Sequence, residues 1–167
     1  RVRTLTNSFA ATDVLPVHAS YRKYRRRLLA AGVEVYELKA APGVQPESEG
    51  LDFLGSSVSS LHAKTFTLDG ERVFVGSFNF DPRSAILNCE MGFLVESPKL
   101  AADLEQRFDA HLDRLAWRVT KAKGERLQWE TTGPDGSRIV TTTEPGTTLR
   151  QRIVLTLIGL LPIEWLM

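Results

Sequence analysis

The 167-residue sequence has a single cysteine, Cys89, and only three histidines, His18, His62 and His111. One cysteine cannot form an intramolecular disulfide, and it has no cysteine neighbours with which to hold a structural zinc ion. A disulfide scaffold and a structural metal site are therefore excluded, and we expect Cys89 to be a small buried residue. No apolar run approaches the roughly 20 residues that cross a bilayer.

The chain also lacks a large net charge, since 21 Lys and Arg stand against 20 Asp and Glu. It therefore has no global positive field of the kind that drives broad nucleic-acid binding. The charge is uneven, because residues 1–40 carry eight Lys and Arg against three Asp and Glu, and the remainder carries 13 against 17. A composition of 43% hydrophobic and 25% charged residues is typical of one ordinary globular domain.

A strand, a helix and a second strand are predicted within the first forty residues. Residues 3–6 alternate as a strand does, Asp13 and Pro16 suit the start of a helix, and residues 33–38 predict another strand. The helix carries one apolar stripe at spacings of four, three and four: Val17, Tyr21, Tyr24 and Leu28. This order is typical of a βαβ unit with parallel strands. We expect the Arg22 to Arg27 run to be a solvated helix face, with a contact to anionic lipid as the alternative.

The rest of the chain alternates between strands and helices around one long loop. Residues 40–60, rich in Pro, Gly, Ser and Glu, predict a surface loop, and Asp69-Gly70 predicts a two-residue hairpin turn. Further strands are expected at 91–95, 117–119, 127–129 and 138–143, with a helix between residues 97 and 112 and a C-terminal helix over 147–167. The apolar run 153–163 favours a core helix over an interfacial one. We expect one α/β domain over 1–167, a mixed sheet with helices on both faces.

The hairpin brings together side chains that bind phosphate. If the turn has two residues, His62 pairs with Ser77 and Lys64 pairs with Val75. Alternation then places an imidazole, a cation, a hydroxyl and an amide on one face: His62, Lys64, Ser77 and Asn79. Groups of these types position a phosphate and neutralise its charge, so the pattern indicates phosphoryl transfer.

The spacing of these residues resembles the HxKxxxxD…GSxN signature of the phospholipase D superfamily. The matching stretch is His62-Ala63-Lys64, then Asp69, then Gly76-Ser77-Phe78-Asn79, and Glu90 in Asn88-x-Glu90 stands where that family keeps a carboxylate. The flanking sequence is similar to the C-terminal half of bacterial cardiolipin synthases of the C type, in three stretches: 24–37, 81–84 and 161–165. The superfamily signature itself covers about residues 61–95.

The resemblance implies transphosphatidylation through a phosphohistidine, with no metal and no cofactor. The nucleophile of such enzymes usually comes from their first motif, so His62, in the second, would be the general acid and base. Lys64 and Asn79 would hold the non-bridging phosphate oxygens with Ser77, and Glu90 would accept a hydrogen bond from His62 Nδ1. For Asp69 a turn role and a contact with the site stay equally open.

The resemblance also implies that the chain holds half of an active site. Neither His18 nor His111 begins a second motif, and we expect both to be structural. The other half would come from an N-terminal lobe or from a second copy in a twofold dimer, and a start at Arg1 instead of Met favours the lobe.

The expected function is that of a bacterial phosphatidyltransferase acting on phospholipids at the inner membrane surface, without nucleic acid. One alternative is a hydrolytic phosphodiesterase, either a phospholipase D or a nuclease. Another is a catalytically silent lobe that binds lipid or dimerises.

Overall fold

Two sheets and four α-helices make up the computed structural model, which describes residues 1–12, 15–40 and 61–160. The strands are β1 Arg3–Asn7, β2 Glu34–Leu38, β3 Lys64–Leu68, β4 Arg72–Gly76, β5 Gly92–Glu96, β6 Ala116–Lys121, β7 Leu127–Thr132 and β8 Arg138–Thr141. The helices are α1 Leu15–Ala30, α2 Pro82–Ile86, α3 Pro98–Leu115 and α4 Leu149–Leu160. The predicted α/β class is confirmed. The predicted cap Asp13, the loop over 41–60 and the chain after residue 160 lie outside the described residues.

The five-stranded sheet has the order β1-β2-β6-β7-β8, and β1 and β2 run parallel as the predicted βαβ unit requires. Its remaining neighbours are antiparallel, so the sheet is mixed. Val35 and Tyr36 are adjacent on β2 and therefore face opposite sides. Val35 packs with Trp129 and side chains of α1, whereas Tyr36 packs with Leu112 of α3. Helices thus cover both faces, as predicted.

The apolar stripe of α1 is only half buried, because a charged residue occupies part of the core side. Tyr21 and Leu28 pack against the buried cluster, while Val17 and Tyr24 are exposed. Arg25, expected on a solvated face, is only 1% exposed. That expectation was wrong because helical periodicity does not reveal carboxylates supplied by distant parts of the chain.

Two buried carboxylates surround the Arg25 guanidinium. Its Nε lies 2.7 Å from Glu37 Oε1 on β2, and an Nη donates to Glu144 Oε1 at 2.6 Å. Burial opposes the charge of Arg25, but Glu37 and Glu144 together raise its pKa. His18 Nε2 lies 2.8 Å from the same Glu144 oxygen, so His18 has the structural surroundings that we expected. Trp129 Nε1 donates to Glu37 at 2.9 Å and closes the cluster.

The C-terminal helix is less buried than the sequence suggested. Leu155 is 2% exposed, but most other apolar side chains of α4 remain open. The predicted core helix is therefore wrong for α4, which packs one narrow side against α1. No helix among the described residues is both long and apolar enough to cross a membrane. Cys89, expected to be buried, is exposed in the segment between α2 and β5.

Candidate active site

The β3–β4 hairpin has a three-residue connection, which moves its pairing by one residue from the predicted register. Lys64 pairs with Gly76 and Leu68 with Arg72, so Asp69, Gly70 and Glu71 form the loop. Asp69 and Gly70 have positive φ values of 55° and 68°. Two-residue and three-residue hairpins both use such residues, so the dipeptide predicts a turn without setting its length.

The antiparallel order of the three-stranded sheet brings the motif residues to one end. Lys64 begins β3, Gly76 ends β4 and Gly92 begins β5, and they are neighbours in the ladders. Ser77 follows Gly76 directly, and Glu90 lies two residues before Gly92. Three stretches separated in sequence therefore meet at the same edge of the sheet.

Glu90 is held at the centre of this edge by neutral donors. Its Oε2 accepts from the Ser77 hydroxyl at 2.5 Å and its Oε1 from the Asn88 amide at 3.1 Å. Hydrogen bonds from Ser77, Asn88 and Ser84 lower the pKa of Glu90, so its carboxylate is stabilised in the charged form. In the described chain these donors replace the expected bond from His62 Nδ1 to Glu90.

Lys64 lies near the Glu90 carboxylate and next to the backbone of His62. The Lys64 ammonium donates to the His62 carbonyl at 2.9 Å. Partial burial lowers the pKa of Lys64, and the nearby Glu90 carboxylate opposes that change. His62 itself is exposed. The cation and the imidazole-bearing residue are thus neighbours at an open edge.

Asn7 at the end of β1 fixes the backbone that leads into the motif. Its Nδ2 donates to the Leu61 carbonyl at 3.1 Å, and its Oδ1 accepts from the Leu61 N–H at 2.8 Å. These two bonds hold the residue next to His62 to the five-stranded sheet. No local pattern near Asn7 pointed to this role, because the partner is 54 residues away.

An apolar cavity of about 280 Å³ adjoins Glu90. Its walls are formed by Glu90, Met91, Gly92 and four phenylalanines, which are Phe66, Phe74, Phe78 and Phe80. Alternation places Lys64 and Phe66 on one side of β3, where the ring of Phe66 stacks on that of Phe74 from β4. Thr67 lies on the other side of β3 and donates a hydrogen bond to Glu105 of α3. Charged and apolar groups therefore share the sheet face that α3 does not cover.

The other predicted residues lie at different distances from this edge. Asn79 is exposed, two residues beyond Ser77, where its carbonyl accepts from the Asp81 N–H at 2.9 Å. Asp69 lies just beyond the opposite end of β3, which is about 13 Å along the strand from Lys64. Its side chain is 84% exposed and lies 3.8 Å from Arg72. The structure separates Asp69 from the other motif residues.

The short helix α2, which the sequence did not predict, holds Asn88, one of the donors to Glu90. Asp81 caps its first turn by accepting from the Ser84 N–H at 2.7 Å, and a proline follows the cap. Arg83 in turn donates to the Asn88 side chain at 3.1 Å. The described residues contain no group of three or more His, Cys, Asp and Glu side chains placed to hold a metal ion.

Comparison with known proteins identifies the family. Residues 1–112 match the family described as "Cardiolipin synthase, PLD-like domain". The chain belongs to this family. Over all 167 residues it is 42% identical to cardiolipin synthase C of Escherichia coli, and it spans 35% of that protein. No solved structure matches the chain.

Other relatives of this PLD-like domain are more distant. An uncharacterized protein of Helicobacter pylori is 30% identical over 90% of the chain, which spans 28% of that protein. Cardiolipin synthase A of Cronobacter sakazakii is 32% identical over 61% of the chain, which spans 17% of that protein. The chain thus spans about a third or less of the curated relatives it matches.

Proposed function

We propose that this PLD-like domain is one catalytic lobe of a phosphatidyltransferase that moves a phosphatidyl group from one phospholipid to an alcohol on another. The observation that carries the proposal is that Lys64 contacts the His62 backbone and interacts with Glu90 at one sheet edge, in a member of the cardiolipin synthase family. The names of its relatives in Escherichia coli and Cronobacter sakazakii support the same activity.

The proposed reaction has two steps, and His62 moves a proton in each. First, a second histidine attacks phosphorus, the P–O bond to the departing alcohol breaks, and His62 gives that oxygen its proton. Then His62 takes the proton of the acceptor hydroxyl, whose oxygen attacks phosphorus and breaks the P–N bond. Attacking and leaving atoms lie on opposite sides of phosphorus, so two imidazoles are required.

Lys64 is the proposed ligand of the non-bridging oxygens, together with Asn79 and Ser77. Its partial burial supports this role, because a phosphate gains more from a cation that water does not fully screen. We propose that Glu90 orients Ser77 and balances the Lys64 charge before substrate binds. Asp69 takes the turn role.

The cavity beside Glu90 favours a lipid over a nucleic acid. A phospholipid joins its phosphate to an apolar glycerol ester, and the phenylalanine-lined cavity suits that apolar part. Aromatic rings also stack on bases, but a nucleic acid needs a basic groove as well. Residues 41–167 carry 13 Lys and Arg against 17 Asp and Glu, which is the opposite charge balance.

The second histidine is proposed to come from another lobe or from a second copy of the chain. His18 is buried against Glu144, and His111 lines a separate cavity with Leu112 and Leu115 of α3. Neither histidine is placed beside Lys64. We therefore expect negligible turnover by the 167 residues as a monomer, and rapid turnover by a verified monomer would contradict this part of the proposal.

The test is a thin-layer assay of the intact gene product on vesicles of phosphatidylglycerol and phosphatidylethanolamine. Wild type is compared with His62→Ala, and His111→Ala is the matched control away from the motif. We expect wild type and His111→Ala to form cardiolipin, and His62→Ala to lose activity by about 10²- to 10⁴-fold, the usual contribution of a general acid or base.

Other products would point to other functions. Phosphatidic acid without cardiolipin would indicate hydrolysis by a phospholipase D. DNA cleavage without lipid turnover would overturn the lipid assignment. Equal loss of activity in both histidine variants would remove the special role of His62. A silent lobe would bind lipid vesicles in every variant and turn over none.

A further inference from the structure

Helix α4 carries an apolar stripe on the side away from the protein core. Its members recur at spacings of four, four and three along the helix, which places them on one side: Leu149, Ile153, Leu157 and Leu160. Each of them is at least 53% exposed, and the neighbouring Val154 is 47% exposed. Leu155 alone among the described residues of α4 is fully buried. Open apolar residues of this extent mark a contact surface.

Helix α1 lies directly against α4 and adds cations to the same part of the molecule. A methyl group at Gly159 would lie 3.7 Å from the Ala19 carbonyl oxygen and 3.8 Å from Lys23 Cε. The backbones are therefore close, and the Lys23 stem borders α4. Helix α1 carries five Lys and Arg and no Asp or Glu, and α4 carries two arginines and no acidic residue.

Part of this positive charge is neutralised inside the protein, and part is exposed. Arg25 pairs with Glu37 and Glu144, and Arg22 Nε lies 3.0 Å from Glu144 Oε2. Lys23 and Arg27 of α1 and Arg150 of α4 are exposed, whereas Arg26 donates to the Glu125 carbonyl. We call the exposed stripe of α4 together with Lys23, Arg27 and Arg150 the α1–α4 surface.

We propose that the α1–α4 surface docks onto a bilayer that contains anionic phospholipid, with α4 lying in the plane of the interface. Exposed apolar side chains on a pair of helices that carry cations and no acidic residue match acyl chains beneath anionic headgroups, and each exposed cation adds about 1 kcal/mol of attraction. The twelve described residues of α4 measure about 18 Å, short of the roughly 30 Å hydrocarbon core, and their exposed apolar stripe suits a helix that lies along the surface.

This docking deepens the proposed function, because an enzyme acting on phospholipids must reach its substrate in a membrane. The surface differs from the site in its position. Lys64 and Glu90 lie on the three-stranded sheet, whereas α1 and α4 lie on the Val35 side of the five-stranded sheet. Binding and turnover are therefore separable by mutation.

The test is flotation of the 167-residue chain with vesicles of phosphatidylcholine alone and of phosphatidylcholine mixed with phosphatidylglycerol. Wild type should bind the mixed vesicles, and added salt should weaken that binding. Ile153→Asn with Leu157→Asn should lower the affinity at least tenfold, and Lys23→Glu with Arg27→Glu should do the same only for the anionic vesicles. The four substituted side chains are exposed in the wild-type chain. Circular dichroism checks that each variant is folded.

Matched controls separate this surface from general effects of polarity and charge. Val140→Asn removes an exposed apolar residue of β8, and Lys99→Glu reverses a charge at the start of α3, on the other side of the five-stranded sheet. Both should bind as wild type does. His62→Ala should also bind normally, because it alters turnover and leaves α4 intact.

Three results would overturn the proposal. Unchanged binding by Ile153→Asn with Leu157→Asn is one, and loss of binding by both controls is another. The third is self-association of wild type that the α4 variant abolishes, since a second copy would then be the occupant. Normal flotation with no lipid turnover by the intact gene product would instead refute the proposed function and leave docking in place.

Discussion

Replacing Glu144 with glutamine should destabilise the chain, because this carboxylate is the shared partner of two arginines and a histidine. Arg25 and His18 contact its Oε1 at 2.6 Å and 2.8 Å, and Arg22 lies 3.0 Å from its Oε2. The side chain is only 3% exposed. A glutamine of the same shape keeps the volume but leaves Arg25 with one carboxylate, Glu37.

The magnitude follows from the displaced pKa of Glu144. Burial alone would raise it, but His18, Arg25 and Arg22 lower the pKa from its ordinary value of 4.5 to about 2. A displacement of this size corresponds to about 3 kcal/mol of folding free energy. Removing one partner from a buried ion pair costs about 3–5 kcal/mol, which agrees. We therefore expect Glu144→Gln to lower the free energy of unfolding at pH 7 by about 3 kcal/mol.

The loss should depend on pH in a direction set by the sign of that displacement. Because the folded-state pKa is below the unfolded one, the stabilisation is complete above pH 4.5 and disappears as pH falls towards 2. The difference between wild type and Glu144→Gln should therefore shrink to less than half by about pH 3. Urea unfolding followed by tryptophan fluorescence measures it, since Trp129 contacts the same cluster through Glu37.

Glu125→Gln is the matched control for this experiment. Glu125 also pairs with a cation, Lys121 at 2.8 Å, but its side chain is 72% exposed. Exposed ion pairs contribute little, so this variant should unfold as wild type does. The reasoning is refuted if Glu144→Gln costs less than about 1 kcal/mol at pH 7, or if its cost is the same at every pH.

Three further predictions concern the three-stranded sheet and the strand β1 that holds the backbone leading into it. Gly76→Ala should cost about 1–3 kcal/mol, since its methyl group would lie 2.5 Å from the Met91 carbonyl oxygen, and lipid transfer should fall as β4 and β5 separate. Asp69→Asn should leave transfer and urea stability unchanged, because asparagine tolerates a φ of 55° and the turn is far from Lys64. Asn7→Ala should slow transfer and increase proteolysis near Leu61, as two hydrogen bonds are lost.

Each of these predictions has an opposing outcome. Gly159→Ala is the control for Gly76→Ala, because its nearest contact is 3.7 Å away, and it should raise stability by about 0.5–1 kcal/mol. Equal effects of the two alanines would contradict the steric argument. A tenfold loss of transfer in Asp69→Asn would restore a site role for that carboxylate. Normal transfer by Asn7→Ala would show that β1 does not position His62.

In the β3–β4 hairpin the sequence predicted the position of the turn correctly and the strand register incorrectly. Asp69-Gly70 predicted the turn correctly, because positive φ is a local property. The loop length, and with it the pairing of Lys64, depended on the ladder that β4 forms with both neighbours. Ser77 therefore follows the end of β4 and donates a hydrogen bond to Glu90. It does not pair with His62 across the hairpin, as the two-residue turn had predicted.

For helices α1 and α4 the sequence predicted the helices but not which of their side chains are buried. The apolar spacing in α1 and the apolar run in α4 predicted helices correctly. Which residues are buried was decided elsewhere, because Glu37 and Glu144 bring their charges to Arg25 from 12 and 119 residues away. A buried arginine is favourable only when such partners exist.

The sequence by itself indicated the family, since the spacing of His62, Lys64, Ser77 and Asn79 needs no tertiary information, and the same spacing predicts the phosphate chemistry that we propose. It showed that the chain has one cysteine and three histidines, and that His62 alone lies in the motif. Tertiary structure decided which groups surround Glu90, that Cys89 is exposed, and that α4 presents apolar residues beside cations. The physical reason is that turns and periodicities are set by neighbouring residues, whereas burial and pairing depend on segments far apart in the chain.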